Sequence, residues 1–562
     1  MALSIVAVGL IAGLNIVGPR LGMAPQIILV AAGAALSYVP QAGRLVLGPH
    51  IVMEFLLPLL LYASSLALPT IEFRRDLAAI GGLSIVLVIV TAIGLGYVAH
   101  WLVPNISLPL GVVLGALISP TDAAATGVVK RLGLSPRLLA ILDGESLLND
   151  ASALVVVRTA APAAIALVAA GGFSMWGAAG SFIWAMLAAI VIGVIVGRLG
   201  VAARQHITSP ATASVVSLLV PFCAYLLADI KPISASGLVA VVAAGITTRL
   251  TAPDRLSASQ RMTETANWHT VEFLAEGAVF LLMGLQVKDL ITAVNNSQET
   301  FRTTLLLALV TWLAALVIRA VFVSGVVGWS NRAASRKHDR RERVRRYATE
   351  HPEDARERFG RMHEMMRRYS ADVDYLIHEP LHAREGTMLT WAGLRGVVTV
   401  AGAQSLPPDL PHRPLIVLAA FAVAVGSLLL QGLTLSPLAK GLHLTGNGSA
   451  PAGNAARLDA ELTQAAHAAL DTEGLTRPDG GRYDSALLDR FKARLLAPAE
   501  DEDTPDESLR SQFMELRLAS IAAQRAALSK IHSVGTYPTA TLQRALNRLD
   551  ADEISVTLDM EQ

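Results

Sequence analysis

Apolar runs long enough to cross a bilayer recur from the first residues of this chain to about residue 438. A helix spans the hydrocarbon core with about 17–25 apolar residues. By that criterion thirteen stretches qualify, at approximately 2–17, 24–39, 51–68, 77–102, 107–131, 138–162, 178–200, 209–229, 234–249, 265–290, 303–328, 386–405 and 413–438. Composition agrees: 16% of the 562 residues are charged, against about 25% in soluble domains. The fold class expected is an all-α polytopic membrane protein. The opening M-A-L-S-I-V-A-V-G-L lacks a basic leader region and an A-x-A cleavage site, so it reads as the first span and not as a signal peptide.

Orientation follows from the basic residues of short loops. Alternate loops hold Arg20, then Arg74 and Arg75, then Lys130, Arg131 and Arg137, then Arg198 and Arg204, then Arg249, Arg255 and Arg261. The opposite set holds little beyond Arg44, Lys231, Lys288 and Arg413. The richer side is cytoplasmic, which puts the N-terminus outside and the C-terminus inside a plasma (inner) membrane. Charge otherwise concentrates in residues 331–385 and after Asn447, and a net charge of +1 gives nucleic-acid binding no support. Cys223, the single cysteine, rules out a disulfide framework.

The expected domains are a transmembrane unit at 1–445, a linker at 446–456 (around T-G-N-G-S-A-P-A-G-N), and a cytoplasmic helical domain at 457–562. Amphipathic spacing predicts helices over Arg457–Leu470, Ser485–Leu496 and Ser508–Ile531. This tail carries no nucleotide or metal motif. The insertion at 331–385, between spans eleven and twelve, is basic and helical in spacing. It reads either as a solvated connector or as a surface for anionic lipid.

Charge inside the spans is the costly feature, at about 2.5–3.5 kcal/mol per group near mid-membrane, and such groups mark ion or proton pathways. The sixth span opens D-G-E-S-L-L-N-D-A-S at Asp143–Ser152. At about 100° per residue, Asp143, Ser146 and Asp150 share one face, while Glu145, Asn149 and Ser152 share another. The fifth span contains I-S-P-T-D at Ile118–Asp122. Pro120 removes a backbone donor, so two half-helices are expected with an unwound joint at Ser119–Thr121. Asp122 then lies in the first turn of the second half, where a carboxylate complements the dipole. Broken spans of this kind form mid-membrane ion sites in transporters; a plain proline kink would not need Thr-Asp beside it.

A monovalent cation such as sodium wants hard oxygen ligands. Asp150 offers a carboxylate; Thr121, Ser146, Asn149 and the unwound backbone offer neutral oxygens. Without a cation, a buried Asp150 holds a proton instead, because desolvation disfavours the charged form. Cation and proton therefore compete for one group, which is an antiport mechanism in itself. In the twelfth span, T-W-A-G-L-R-G-V-V-T places Arg395 between Gly393 and Gly396. Glu145 is the acid available to it, so Glu145–Arg395 is expected as a structural ion pair. Glu272 and Glu276, one turn apart, line an entry funnel or pair with a neighbour; His100 and His269 read as interfacial.

S-P-T-D, G-E-S-L-L-N-D and W-A-G-L-R-G, in this order and spacing, resemble the cation/proton antiporter-1 family of sodium/proton exchangers, over Leu3 to Leu444. The resemblance implies thirteen helices with inverted repeats, a homodimer, and a core domain moving against a dimerisation domain. It implies Asp150 as carrier, with Asn149 beside it and Thr121 and Asp122 at crossed, unwound helices. It supports Glu145–Arg395 as a stabilising pair, and Asn before the carrier Asp implies electroneutral exchange. Two departures stand out. Ala63 occupies a position where many members have Glu, with Ser64 or Ser65 as weak substitutes, and Ala123 replaces a proline.

The resulting expectation is a secondary transporter, not an enzyme, with no cofactor, exchanging sodium or lithium for protons. Potassium/proton exchange is the alternative, and a membrane sensor with a transporter-like core a remote one. An intramembrane hydrolase using Ser146 with Asp150 lacks a deep histidine or lysine base and a G-x-S-x-G elbow.

Overall fold

The structure is a computed structural model that describes residues 2–17, 25–39, 51–121, 127, 129–130, 132–168, 175–295, 301–350, 363–393, 396–446, 452–471, 476–477, 481–496 and 507–561. Among these the chain is helical, apart from an isolated bridge between Thr476 and Arg482. Among the described residues, six helices are both long and apolar enough to cross a membrane, and four more are apolar but shorter.

In chain order the first helices are α1 (Ala2–Val17), α2 (Pro25–Leu36), α3 (Val52–Ala67), the short α4 (Thr70–Arg75) and α5 (Leu77–Leu102). α6 (Leu108–Ile118) and α7 (Pro136–Val168) follow, then α8 (Met175–Arg204), α9 (Pro210–Asp229) and α10 (Gly237–Thr251). α11 (Ala258–Leu285) and α12 (Val287–Asn295) lead to α13 (Phe301–Glu350). α7 is long enough to span, but Arg137, Asp143, Glu145, Asp150 and Arg158 keep it from reading as a plain apolar span.

Two bodies pack side by side. One gathers α1–α3 and α8–α11. The other gathers α5, α6, α7, α13 and the last apolar helices, α15 (Ala383–Trp391), α16 (Val397–Gln404) and α17 (Arg413–Gly441). In each body, small residues let backbones approach. A Cβ on Gly111 of α6 would lie 2.6 Å from the Gly96 carbonyl oxygen of α5, so that crossing requires glycine. α8 and α13 turn apolar stripes outward, including Ile183, Leu187 and Val191 on the one and Leu309, Leu313 and Val317 on the other. Outward apolar stripes of this kind suit lipid or a partner helix.

α13 is a 50-residue helix, about 75 Å long at 1.5 Å per residue, so its C-terminal half projects beyond the apolar part. α14 (His363–His378) folds back on it, tied by an Arg341–Asp374 ion pair and by Tyr369, whose hydroxyl donates to the Lys337 carbonyl at 3.2 Å. The 331–385 insertion is thus a helical hairpin over its described part.

The tail forms α18 (Ala452–Leu470), α19 (Ser485–Leu496), α20 (Glu507–Val534) and α21 (Thr539–Glu561). α18 begins inside the stretch read as linker, and α21 is a helix that amphipathic spacing did not single out. Leu458, Leu462, Ile521, Leu528, Leu542 and Leu549 form the tail's core, and Ile71 of α4 packs into it. The tail therefore docks directly on the apolar bundle. The Thr539 backbone N–H donates to Glu72 Oε1 at 2.9 Å, a carboxylate at the N-terminus of α21 that complements its dipole. Arg75 donates to the Gly535 carbonyl at 2.7 Å, and Arg261 pairs with Asp550.

Candidate ion-binding site

α6 leaves the helical path where Pro120 predicts it, with Ser119 at its C-cap and Thr121 outside regular structure. The twelfth apolar stretch breaks as well: α15 ends at Trp391, and α16 restarts at Val397 and packs on α6. Two interrupted helices therefore meet beside α7. Asp122 and Arg395 lie outside the described residues.

Between the two bodies is a cavity of about 210 Å³. Pro120 and Thr121 line it from the broken α6, Asp143, Ser146 and Asp150 from α7, and Gly396 from the second break. Ser64 lines it from α3, and Glu272 and Glu276 from α11. The face of α7 singled out by helical periodicity is thus the one on the cavity. Asp150 is half-buried there. Asp143 pairs with Lys130 at 3.1 Å, and the 52% exposure of the Lys130 side chain marks the open end.

The second face of α7 is dry. Glu145 is 1% exposed and receives both ends of the Arg319 guanidinium, Nη2 to Oε2 at 2.9 Å and Nη1 to Oε1. Arg319 comes from α13. Its Nε and Nη2 also donate to the Leu389 carbonyl in the last turn of α15, at 3.1 and 2.8 Å. Carbonyls at a helix end need donors from outside the helix, so Arg319 ties α7 and the broken α15 to α13 at once. A Cβ on Gly393 would sit 2.6 Å from Arg319 Nε, so the guanidinium occupies the space that glycine leaves. The expected partner of Glu145, Arg395, lies outside the described residues; among the described residues its partner is Arg319, which sequence reasoning did not single out. A signal was present: Arg319 is the sole charge between residues 303 and 328, and the cost of a charge in lipid applies to it as to Asp150.

Thr121 connects the dry face to the cavity. Its hydroxyl donates to Glu145 Oε1 at 3.4 Å and accepts from Asn149 Nδ2 at 2.6 Å. A hydroxyl has one proton. With that proton committed to a carboxylate, Thr121 must accept from the amide nitrogen, which fixes the Asn149 side chain the right way round. Asn149 Oδ1 is then a buried acceptor without a hydrogen-bond partner among the described residues. An orphaned buried oxygen costs about 1–3 kcal/mol. It sits one residue from Asp150, behind Thr121, and is of the donor type a hard monovalent cation takes.

The two serines of α3 separate cleanly. Ser64 faces the cavity, whereas Ser65 is fully buried, donates to its own helix at the Leu61 carbonyl (2.6 Å), and packs on Gly245 of α10. Ala63, at the position of the missing acid, is buried. On the opposite wall, Gln26 of α2 donates to Glu276 at 2.9 Å. His269 is 74% exposed and stands 3.9 Å from Glu272, and His100 bonds the Ile106 carbonyl at 2.6 Å, an end-of-helix role. Two further buried ion pairs escaped sequence reasoning: Arg204–Glu264 in one body, and Arg137–Asp76 in the other at 2.8 Å. Both join residues that are far apart in the chain.

Helices broken in pairs around a cavity lined by charged residues, in an apolar bundle that is helical over its described residues, define a membrane transporter for small ions. The family model described as sodium/hydrogen exchanger, transmembrane, matches residues 5–441. The chain belongs to that family. Similar proteins include the Na(+)/H(+) exchanger YjcE of Escherichia coli (strain K12), 28% identical over 93% of this chain and 92% of its own length. The Na(+)/H(+) exchanger Rv2287 of Mycobacterium tuberculosis (strain ATCC 25618 / H37Rv) is 27% identical over 98% of this chain and 96% of its own. The sodium, potassium, lithium and rubidium/H(+) antiporter of Bacillus subtilis (strain 168) is 26% identical over 97% and 77%. In fold, the chain resembles the sodium proton antiporter MjNhaP1 from Methanocaldococcus jannaschii at pH 8, with a TM-score of 0.53 and 17% identity over 78% of this chain and 99% of that one.

Proposed function

We propose that the protein exchanges sodium or lithium for protons across the membrane by alternating access, with cation and proton competing for Asp150. One observation carries the assignment of the carrier. Asp150 lies on the cavity face of α7 and shares that cavity with Pro120 and Thr121 at the first helix break and Gly396 at the second. Asn149 Oδ1, Thr121 and Ser146 supply neutral oxygens, and Asp122 joins the binding residues by its place in the motif. With Asp150 as the one carboxylate that trades cation for proton, one proton leaves for each cation that binds, so exchange is electroneutral.

The topology proposed with this function has thirteen spans arranged as inverted repeats, the N-terminus outside, and both the 331–385 insertion and the tail in the cytoplasm of a cell with an inner membrane. The basic loops support it. In that orientation the Lys130–Asp143 end of the cavity faces the cytoplasm. The protein works as a homodimer surrounded by lipid, and the outward apolar stripe of α8 supports a partner or lipid contact there. Motion of one body against the other then exposes Asp150 to each side in turn. Arg395 remains a structural residue in this reading, with Glu145 as its expected partner.

A second reading within transport is potassium/proton exchange, favoured by the sodium, potassium, lithium and rubidium/H(+) antiporters among its relatives. Proteoliposomes loaded with a pH-sensitive dye decide both points. Sodium and lithium are expected to dissipate an imposed pH gradient at lower concentration than potassium, and apparent sodium affinity is expected to fall as pH drops. Asp150→Asn is expected to abolish both responses. Sodium-driven proton movement that persists in Asp150→Asn refutes the carrier assignment.

A further inference from the structure

A second cavity, of about 150 Å³, lies between the bundle and the tail. Thr70, Arg249 and Asp254 line it from the bundle, and Arg525, His532 and Gln543 from α20 and α21 of the tail. Arg249 is half-buried at the end of α10, and its one hydrogen bond among the described residues is from Nη2 to Gln543 Oε1, at 2.8 Å, an amide and not an acid. Arg525 satisfies Nη2 on Asp550 (2.9 Å) and on Glu553, but its Nε is buried without an acceptor. A guanidinium edge left dry in this way costs more than a neutral orphan, because hydrogen bonds to charged groups are the stronger ones. The carboxylate in the lining, Asp254, accepts from Ser529 at 2.9 Å. His532 meets Thr70 at 3.3 Å.

Arg249, whose hydrogen bond goes to an amide, and the Nε edge of Arg525, whose Nη2 already serves Asp550 and Glu553, offer guanidinium edges from both sides of one cavity and suit an anion with several oxygens. Arginine forks match phosphate geometry better than a lysine point charge does. A liquid water occupies about 30 Å³, so the cavity holds a phosphate group with a small substituent. Leu250, Leu528, Leu542 and Leu546 form the rest of the wall and suit the carbon part of a monoester. We propose that this cavity is a binding site for a phosphate-bearing anion, held by Arg249 from the bundle and Arg525 from the tail. Occupancy would add charge-assisted bonds across the dock and hold the tail on the bundle.

The phosphate comes either from solution or from a lipid headgroup at the membrane surface, and two arms separate these sources. In the first, inorganic phosphate and glycerol 3-phosphate are titrated calorimetrically into the purified full-length protein in detergent. In the second, melting of the full-length protein is compared in nanodiscs of phosphatidylcholine alone and with phosphatidic acid added. Binding or stabilisation in either arm is expected, weakened about tenfold or more in Arg249→Gln, as loss of a charged hydrogen bond of about 1.5–3 kcal/mol requires. Arg525→Gln is expected to act in the same direction, and Arg249→Lys to retain part of the binding. Sodium-dependent exchange of Arg249→Gln in phosphatidylcholine without phosphate serves as the folding control. No response to any probe in wild type overturns the proposal. So does a response of equal size in Arg249→Gln that exchanges normally, because the anion then binds elsewhere.

Discussion

Replacing Arg319 by methionine removes both guanidinium donors from Glu145, leaving the Thr121 hydroxyl, and removes the two guanidinium donors from the Leu389 carbonyl. The pair is 2% and 1% exposed, so water does not take the place of the guanidinium. Breaking a buried ion pair from one side costs about 3–5 kcal/mol. The unsatisfied Leu389 carbonyl puts the loss at the upper end of that range. Against a total stability of about 5–15 kcal/mol, Arg319→Met is expected to reduce the monodisperse fraction in detergent and to lower the melting temperature sharply. Glu145→Gln leaves the Leu389 cap in place and is expected to lose less, by about 1–3 kcal/mol. Joining Arg319→Met to Glu145→Leu is expected to recover much of the stability, because replacing both members of a buried pair by apolar groups is often neutral or better. Melting curves of the three purified variants make the comparison, alongside exchange in proteoliposomes normalised to folded protein. An Arg319→Met protein that melts like wild type but shifts apparent sodium affinity by orders of magnitude refutes the strut, and places Arg319 on the ion path.

Asn149→Asp puts a second carboxylate at the crossing and is expected to make exchange voltage-sensitive; unchanged transport under an imposed potential contradicts the one-carboxylate account. Ser64→Ala removes a hydroxyl from the cavity wall and is expected to weaken apparent cation affinity by up to about tenfold, or about 1.4 kcal/mol, whereas an effect of that kind from Ser65→Ala would show that the two serines have been assigned the wrong way round. Burial, and then the neighbouring Arg249, hold the His532 imidazole below its usual value of 6.5 in the docked tail; Arg74 acts in the same direction, and Asp254 and Glu72 oppose it. The released tail therefore binds the proton more readily, so the stability His532 adds to the dock is present above about pH 6.5 and is lost as pH falls towards the depressed value. Protease release of the tail, followed as pH is lowered, is expected to rise in wild type and to be flatter in His532→Gln.

Much of the site was legible before any tertiary contact was known. The cost of charge in lipid singled out Asp150 and Glu145, helical periodicity separated their faces, and the covalent ring of Pro120 located the break in α6. The second break, between α15 and α16, shows in the structure within a stretch that reads as one span from 386 to 405, where Gly393 and Gly396 allow local unwinding. These features are local: they depend on transfer energies, on about 100° per residue, and on a missing amide proton. The same arguments, applied to the run from 303 to 328, single out Arg319 as well.

Pairing was another matter. Glu145 was assigned Arg395 from the sequence, and only the packing of α13 against α15 and α7 showed Arg319 on it. Ser64 and Ser65 are neighbours of the same type, and the approach of α10 at Gly245 decided which of them faces the cavity. The docked tail, with Glu72 at the start of α21 and Arg249 and Arg525 around one cavity, was invisible to periodicity, because its contacts join residues hundreds of positions apart. The sequence by itself determined that the chain is a helical membrane protein and where a charge must be justified. The tertiary structure alone decided which partner justifies each charge, because an ion pair depends on distance in space and a helix reports only distance along its own axis.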